Sequence, residues 1–179
     1  YITNFSHYWM PHPNFHVLAD NVRFFAENGV KGVFEQGCPA EGGGELTGLR
    51  AYVLSKCLWN PDIDADIAED EYLYGVYQGA APYIKAYMEE VYRTVVDSGS
   101  HLYCFNHPDK PWQTMELVER CEALFDQAES TAPDEPVLYR VRKERMAVRY
   151  LRILLTPKGS VQRNALLASF EQDVKTFGL

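Results

Sequence analysis

The N-terminal segment constrains the fold most, because it places an apolar start, a polar and aromatic loop, a helix pattern and a second apolar run in that order. The helix pattern stops at Asn28-Gly29, since glycine adopts the left-handed conformation that ends a helix at low cost. Residues 30–34 then read VKGVF, which predicts a short buried strand with Glu35 and Gln36 at its carboxyl end. This order of elements is typical of α/β barrels, whose sites lie at the carboxyl ends of their strands.

The sequence changes near residue 60, and from there it reads as helices joined by short loops. A stripe of apolar residues at helical spacing predicts each helix, and proline or glycine separates one helix from the next. The predicted helices cover residues 15–28, 45–60, 64–77, 82–98, 112–130, 136–155 and 160–177. We therefore expect an α/β N-terminal end in a chain that is mostly α overall, with one unit at residues 1–60 and a helical unit at residues 61–179.

Composition narrows the classes of function. Hydrophobic residues make up 46% of the 179 residues, which is enough to bury a sizeable core. The net charge of −8 argues against nucleic-acid binding and against adhesion to anionic membranes, because both need a positive surface. The chain lacks an apolar run of 18 residues, so we predict no membrane span.

Polar and aromatic side chains cluster around the two apolar runs. We predict that Asn4 and the His7-Tyr8-Trp9 turn share one cavity with Glu35 and Gln36. Aromatic faces stack on sugar rings, and imidazole, amide and carboxylate groups bind hydroxyls. Three roles remain open for Glu35, namely a catalytic carboxylate, a hydroxyl acceptor or a structural contact. The aromatic turn either contacts a ligand or closes the end of the fold.

Three histidines in this loop raise the question of a metal. His7, His12 and His16 could supply three zinc ligands, but Pro11 and Pro13 flank His12 and keep the three off a common helix face. The sequence therefore predicts neither a metal site nor another cofactor.

Arginines recur on one face of the helix at residues 136–155, and acids recur on the preceding helix. The arginines are Arg142, Arg145, Arg149 and Arg152, and the acids are Glu116, Glu119, Glu122 and Asp126. We predict ion pairs between the two helices rather than an anion-binding stripe.

Five strings carry a resemblance to a known family. They are YITNF at residues 1–5, PHPNF at 11–15, NGVKGVFEQG at 28–37, LRAYVLSK at 49–56 and LWNP at 58–61. Together they resemble the domain of unknown function 4838 family, whose members look like bacterial glycoside hydrolases with a (β/α)8 barrel and are similar in architecture to alpha-glucuronidases. The resemblance implies that this chain holds the last β/α units of a TIM-type barrel, followed by a helical region.

The resemblance also implies a function. The chain would be the C-terminal fragment of a carbohydrate-active protein, with Glu35 as the catalytic residue and with substrate contacts from Asn4, His7, Tyr8, Trp9 and Gln36. The rest of the barrel would precede Tyr1 and supply the second carboxylate that glycoside hydrolysis needs. The fragment alone is then expected to be inactive and its ligand to be a carbohydrate, and the resemblance indicates a periplasmic or extracellular location.

An alternative from a different class of function stays open. The helical region could be a non-enzymatic interaction module that presents Tyr83, Tyr87 and Tyr92 to a partner. Core packing explains these tyrosines equally well, so their exposure distinguishes the two interpretations.

Overall fold

The computed structural model describes residues 2–38 and 43–179, and the regular secondary structure in these residues is helical throughout. A 3-10 turn, Gln78–Ala80, joins α3 to α4. The helices are α1 (Phe15–Glu27), α2 (Thr47–Trp59), α3 (Ala65–Tyr77), α4 (Ala81–Asp97), α5 (Met115–Thr131), α6 (Glu135–Leu155) and α7 (Val161–Phe177). Each lies within a few residues of a predicted helix.

Side-chain caps explain why several of these helices begin where they do. Asp64 accepts hydrogen bonds from the backbone N–H groups of Asp66 and Ile67 at the start of α3. Thr114, Asp134 and Ser160 cap α5, α6 and α7 in the same way. A cap of this kind stabilises a helix by about 0.5–2 kcal/mol.

The prediction of an α/β N-terminal end with TIM-type barrel units is wrong. In the described residues the segment 30–34 forms no strand, and Phe34 is 84% exposed. Just beyond this segment, the Ile2 N–H donates to the Gln36 carbonyl at 3.3 Å. A buried strand needs a partner strand along its length, and the described residues form none beside residues 30–34. The finding also removes the structural basis for describing the chain as part of a glycoside hydrolase barrel.

One hydrophobic core connects α1 to α6. α5 packs against α4 and α6, and α2 packs against α1 and α3. The largest fully buried side chains are those of Trp112, Tyr77, Tyr87 and Phe125. The core includes Val53 and Ile84, which lie on opposite sides of residue 60 in the sequence, while the domain boundary at residue 60 stays a prediction. Within the described residues, no helix combines the length and apolar character that crossing a bilayer requires.

The arginine face of α6 pairs with acids of α5, and two of the four predicted acids, Glu122 and Asp126, are among the partners in the described residues. Arg145 contacts Glu122, Asp126 and Glu129 of α5. Arg149 departs from the prediction, since it pairs with Asp173 of α7. These pairs are partly exposed, so they set the register of the helices more than they stabilise the fold.

The buried guanidinium group of Arg50, which is paired with Glu45, ties the N-terminal segment to α2. Arg50 is 3% exposed and Glu45 is 4% exposed, and Nη2 of Arg50 donates to the Glu45 carboxylate at 2.7 Å. Nη2 also donates to the His12 carbonyl at 2.8 Å, Nη1 to the Glu45 carbonyl at 2.6 Å, and Nε to the Asn14 side chain at 3.1 Å. The guanidinium group also lies over the Phe15 ring, 4.6 Å from its centroid. A buried charge needs this degree of compensation to be tolerated.

A second carboxylate extends this polar network to α3 and α6. The Tyr87 hydroxyl donates to Glu45 at 3.2 Å, and the Tyr77 hydroxyl donates to Glu144 at 3.0 Å. Glu144 also accepts the N–H of Leu46 at 2.9 Å, and Leu46 has a φ of 47°, in the left-handed region that non-glycine residues avoid. Burial raises the pKa of the Glu144 carboxyl to about 7.

Removing the guanidinium group should destabilise the fold strongly. In Arg50→Met the buried Glu45 carboxylate loses its partner, so we expect the free energy of unfolding to fall by about 3–5 kcal/mol. The control Arg23→Met breaks the exposed pair with Asp20 and should cost about 0–1 kcal/mol. Urea unfolding of the two variants measures both changes, and equal losses would contradict the role given to Arg50.

The Glu144 carboxyl should make stability depend on pH. Between pH 4.5 and about 7 the folded protein keeps a proton that the unfolded chain releases. The free energy of unfolding therefore falls as pH rises through this window. Above about pH 7 the contribution of Glu144 to that free energy is constant. In Glu144→Gln the amide can still accept from Leu46 and donate to the Tyr77 oxygen, but it does not titrate. Over this window we expect wild type to lose about 3 kcal/mol more than the variant in urea unfolding. Parallel stability curves would argue against this assignment.

Candidate functional site

Asn4 is buried and already bonded within the protein. Its Nδ2 donates to the Asn106 carbonyl at 2.9 Å, and its Oδ1 accepts the backbone N–H of Ser6 at 3.0 Å. Its amide therefore links the N-terminal segment to the loop before α5.

The His7-Tyr8-Trp9 turn packs against other parts of the chain. Nδ1 of His7 lies 2.7 Å from the Tyr150 hydroxyl of α6, and burial lowers the His7 pKa, with a smaller effect from the charge of His107. The Tyr8 ring meets the Phe5 ring edge-on, with 6.0 Å between centroids. Trp9 packs so closely on Gly43 that a Cβ there would lie 2.6 Å from the indole ring.

Glu35 borders a cavity whose described lining does not include this turn. It is half-buried and borders a cavity of about 470 Å³ between α1, the end of α4 and residues 100–104. Neither Asn4 nor any residue of the His7-Tyr8-Trp9 turn is among the lining residues, and Gln36 is exposed next to Glu35 in the chain. A sugar site formed jointly by Glu35 and this turn stays a prediction.

Aromatic rings, imidazoles and amides converge on this cavity. Its apolar wall includes Leu18, Val22, Leu54 and Val95, which also belong to the core. The polar and aromatic lining groups include His12, His16, Asn21, Glu35, Tyr92, His101 and Tyr103. Glu35 is the one carboxylate among the described residues that line it.

Local sequence explains how these groups come together. Gly29 has a φ of 74° and ends α1, so that the chain turns away and residues 30–36 follow with Glu35 near the far end. Gly99 has a φ of 63° beyond the end of α4, and residues 100–104 then border α1. Both glycines have a positive φ, a conformation that other residues adopt only at an energetic cost.

Burial favours the neutral form of two cavity histidines, His12 and His16, because it lowers the pKa of each. The His16 ring contacts the Tyr92 ring, with 3.9 Å between centroids, and burial lowers the His16 pKa. Burial and the Arg50 charge lower the His12 pKa to about 3. Neutral imidazole offers one N–H donor and one nitrogen acceptor, so these rings can bind hydroxyl groups in either sense.

The described residues were also considered for metal ligation. Across residues 2–38 and 43–179, no group of three or more histidine, cysteine or acidic side chains is placed to hold a metal ion. The cavity chemistry in the described residues is that of hydrogen bonding and ring stacking.

Sequence reasoning missed most of this cavity. Tyr92 was assigned to a partner surface, and Asn21, His101 and Tyr103 were not assigned to any site. The one available signal was the aromatic and histidine content of residues 101–107. Their proximity to α1 is a tertiary property that no local pattern reports.

The described residues thus form a helical fold with a cavity beside α1, and Glu35 is the charged side chain among the described residues that line it. Residues 1–89 match the family described as Domain of unknown function (DUF4838). The match supports the resemblance found in the sequence and covers α1, α2, α3 and the first part of α4. No curated protein and no solved structure matches the chain.

The His12 ring should stay neutral across the physiological range. Because its pKa is lowered to about 3, the Cε1–H resonance of His12 is expected to stay constant between pH 5 and pH 8 in an NMR titration. The spectrum of His12→Gln identifies this resonance by its absence. A titration midpoint above pH 5 would show that the ring is more hydrated than the structure indicates.

Proposed function

We propose that this chain binds carbohydrate in the cavity between α1 and α4, and that it does so without hydrolysing the sugar. The supporting observation is the convergence of tyrosine and histidine rings with amide and carboxylate groups around about 470 Å³ of space. That volume is within the range of small-molecule sites.

The exposed aromatic groups support the ligand class. Tyr103 is 65% exposed and Tyr92 is 37% exposed, and both border the cavity. A tyrosine presents an apolar face to the C–H side of a sugar ring and a hydroxyl to its edge. Asn21 and Glu35 add an amide and a carboxylate, which together can accept from and donate to hydroxyls.

The number of carboxylates that line the cavity in the described residues favours sugar binding over sugar hydrolysis. Glycoside hydrolysis requires two carboxyl groups on either side of the scissile bond. Among the described residues that line the cavity there is one, Glu35, and the barrel that would have supplied another is not the fold of this chain. We therefore assign Glu35 the role of a hydroxyl acceptor and not that of a catalytic residue.

The other predicted contacts are not part of this proposal. The polar groups of Asn4 and His7 have protein partners, and Trp9 packs on Gly43. The interaction-module alternative loses its predicted surface, because Tyr87 is 1% exposed and lies in the core.

Binding should be measurable and should depend on two lining residues. We expect glucose or xylose to bind the wild type with millimolar affinity in calorimetry or saturation-transfer NMR. Glu35→Gln and Tyr92→Ala should each weaken binding by about tenfold, because each removes a charged hydrogen bond or a stacking face.

Matched controls separate a local effect from a general one. Glu119→Gln and Tyr74→Ala make the same replacements at exposed positions on α5 and α3 and should leave affinity unchanged. The proposal fails if the wild type binds none of the sugars, or if the controls weaken binding as much as the cavity variants.

A further inference from the structure

A second cavity, of about 340 Å³, adjoins the cavity between α1 and α4. Ile2, Glu35 and Leu54 line both cavities, so these three residues form the boundary between them. The two chain segments at this boundary contact each other. The Ile2 N–H donates to the Gln36 carbonyl at 3.3 Å, and a Cβ on Gly37 would lie 3.3 Å from Cδ1 of Ile2. The two cavities are therefore neighbours that share one wall.

One face of α2 lines the second cavity. The α2 residues in its lining recur at helical spacing and are Thr47, Arg50, Ala51, Leu54, Ser55 and Leu58. Arg50 holds this face in place, because its guanidinium group donates to the His12 carbonyl at 2.8 Å and to the Asn14 side chain at 3.1 Å. Leu58 is 42% exposed, as expected for a cavity that opens at the surface. The second cavity is thus formed before a ligand binds.

The second cavity carries groups that suit a sugar ring. Thr3, Thr47 and Ser55 supply hydroxyl groups, which can both donate to and accept from the hydroxyls of a sugar. The Ser55 hydroxyl donates to a backbone carbonyl one turn earlier in α2, which leaves its oxygen able to accept. The aliphatic side chains of Leu54 and Leu58 offer an apolar surface to the C–H face of a ring.

The two cavities differ in aromatic content. Tyr92 and Tyr103 line the first cavity, whereas the described residues that line the second include no aromatic ring. Stacking on a ring adds to the affinity for a sugar, so a single sugar should favour the first cavity. The second cavity should then contribute when a second ring is attached to the first.

We propose that the two cavities are adjoining subsites of one cleft, and that the ligand is an oligosaccharide of at least two rings that lie on either side of Ile2 and Glu35. The proposal rests on the proposed function and deepens it, because it adds a second binding surface and specifies the length of the ligand. Two rings joined by one glycosidic oxygen are neighbours, as the cavities are. The second ring then binds as part of a ligand that is already held, which raises the overall affinity.

The test compares probes of one ring and of two rings. Glucose, cellobiose and maltose are titrated calorimetrically into the wild type and into the variants Ala51→Trp, Ala26→Trp and Tyr92→Ala. Ala51 is exposed and lines the second cavity but not the first. The control residue Ala26 is exposed on α1 and lines neither cavity.

Each variant has its own expected result. The wild type should bind at least one disaccharide about tenfold more tightly than glucose, or better. Ala51→Trp fills the second cavity, so it should abolish this advantage while glucose affinity stays within about twofold of wild type. Tyr92→Ala removes a stacking face of the first cavity and should weaken all three probes about tenfold. Ala26→Trp should match the wild type for every probe.

A second measurement needs no variant that could fail to fold. In methyl NMR of the wild type, the Leu58 methyl groups should shift with the tighter disaccharide and not with glucose, because Leu58 lines the second cavity alone of the two. The Leu54 methyl groups border both cavities and should shift with either probe.

The outcomes separate this inference from the proposed function. Equal affinity for glucose and both disaccharides overturns the cleft of two subsites and leaves sugar binding in the first cavity standing. A disaccharide advantage that survives in Ala51→Trp, or Leu58 methyl groups that do not shift, also overturns it, because the second ring then lies elsewhere. An equal loss of glucose and disaccharide affinity in Ala51→Trp overturns the separation of the subsites. A wild type that binds no single sugar and neither disaccharide overturns the proposed function as well.

Discussion

The structure depends on the ion pair between Arg50 and Glu45, which is buried where the N-terminal segment meets α2. Four hydrogen bonds satisfy the guanidinium group, and the acid also accepts the Tyr87 hydroxyl. A charge pair with this many partners is costly to break, because either group left alone would be a buried, uncompensated ion. It therefore holds a segment with little regular structure of its own against the helical core.

The same pair positions the cavity. Arg50 donates hydrogen bonds to the carbonyl of His12 and to the side chain of Asn14. α1 begins at Phe15, the residue after Asn14. The direction of α1 thus follows from the anchored segment before it, and α1 forms one wall of the cavity. A site whose wall is positioned by a buried ion pair is preorganised, so binding a ligand requires little further ordering of side chains or backbone.

The sequence predicted the helices well and the strand wrongly, for a common reason. Helix patterns and caps such as Asp64 are local, and the helical hydrogen bonds they start are local too. The VKGVF run has strand propensity, but a strand also needs a partner, and its own residues carry no information about one. Arg50 was also missed, since an arginine in a helical pattern looks like any solvated charge until its burial is known. Among the residues that line the cavity, Glu35 was a sequence candidate because it follows an apolar run, whereas the place of Tyr92 depends on how α4 approaches α1.

The last helix has a different relation to the fold. α7 contributes no buried residue, Val161 is almost fully exposed, and its link to α6 includes the pair between Asp173 and Arg149. Regions with few buried contacts open at a lower free energy than the global unfolding. We therefore expect α7 to open at a lower free energy than α1 to α6, and amide exchange in it would report this sub-global opening rather than the loss of the core.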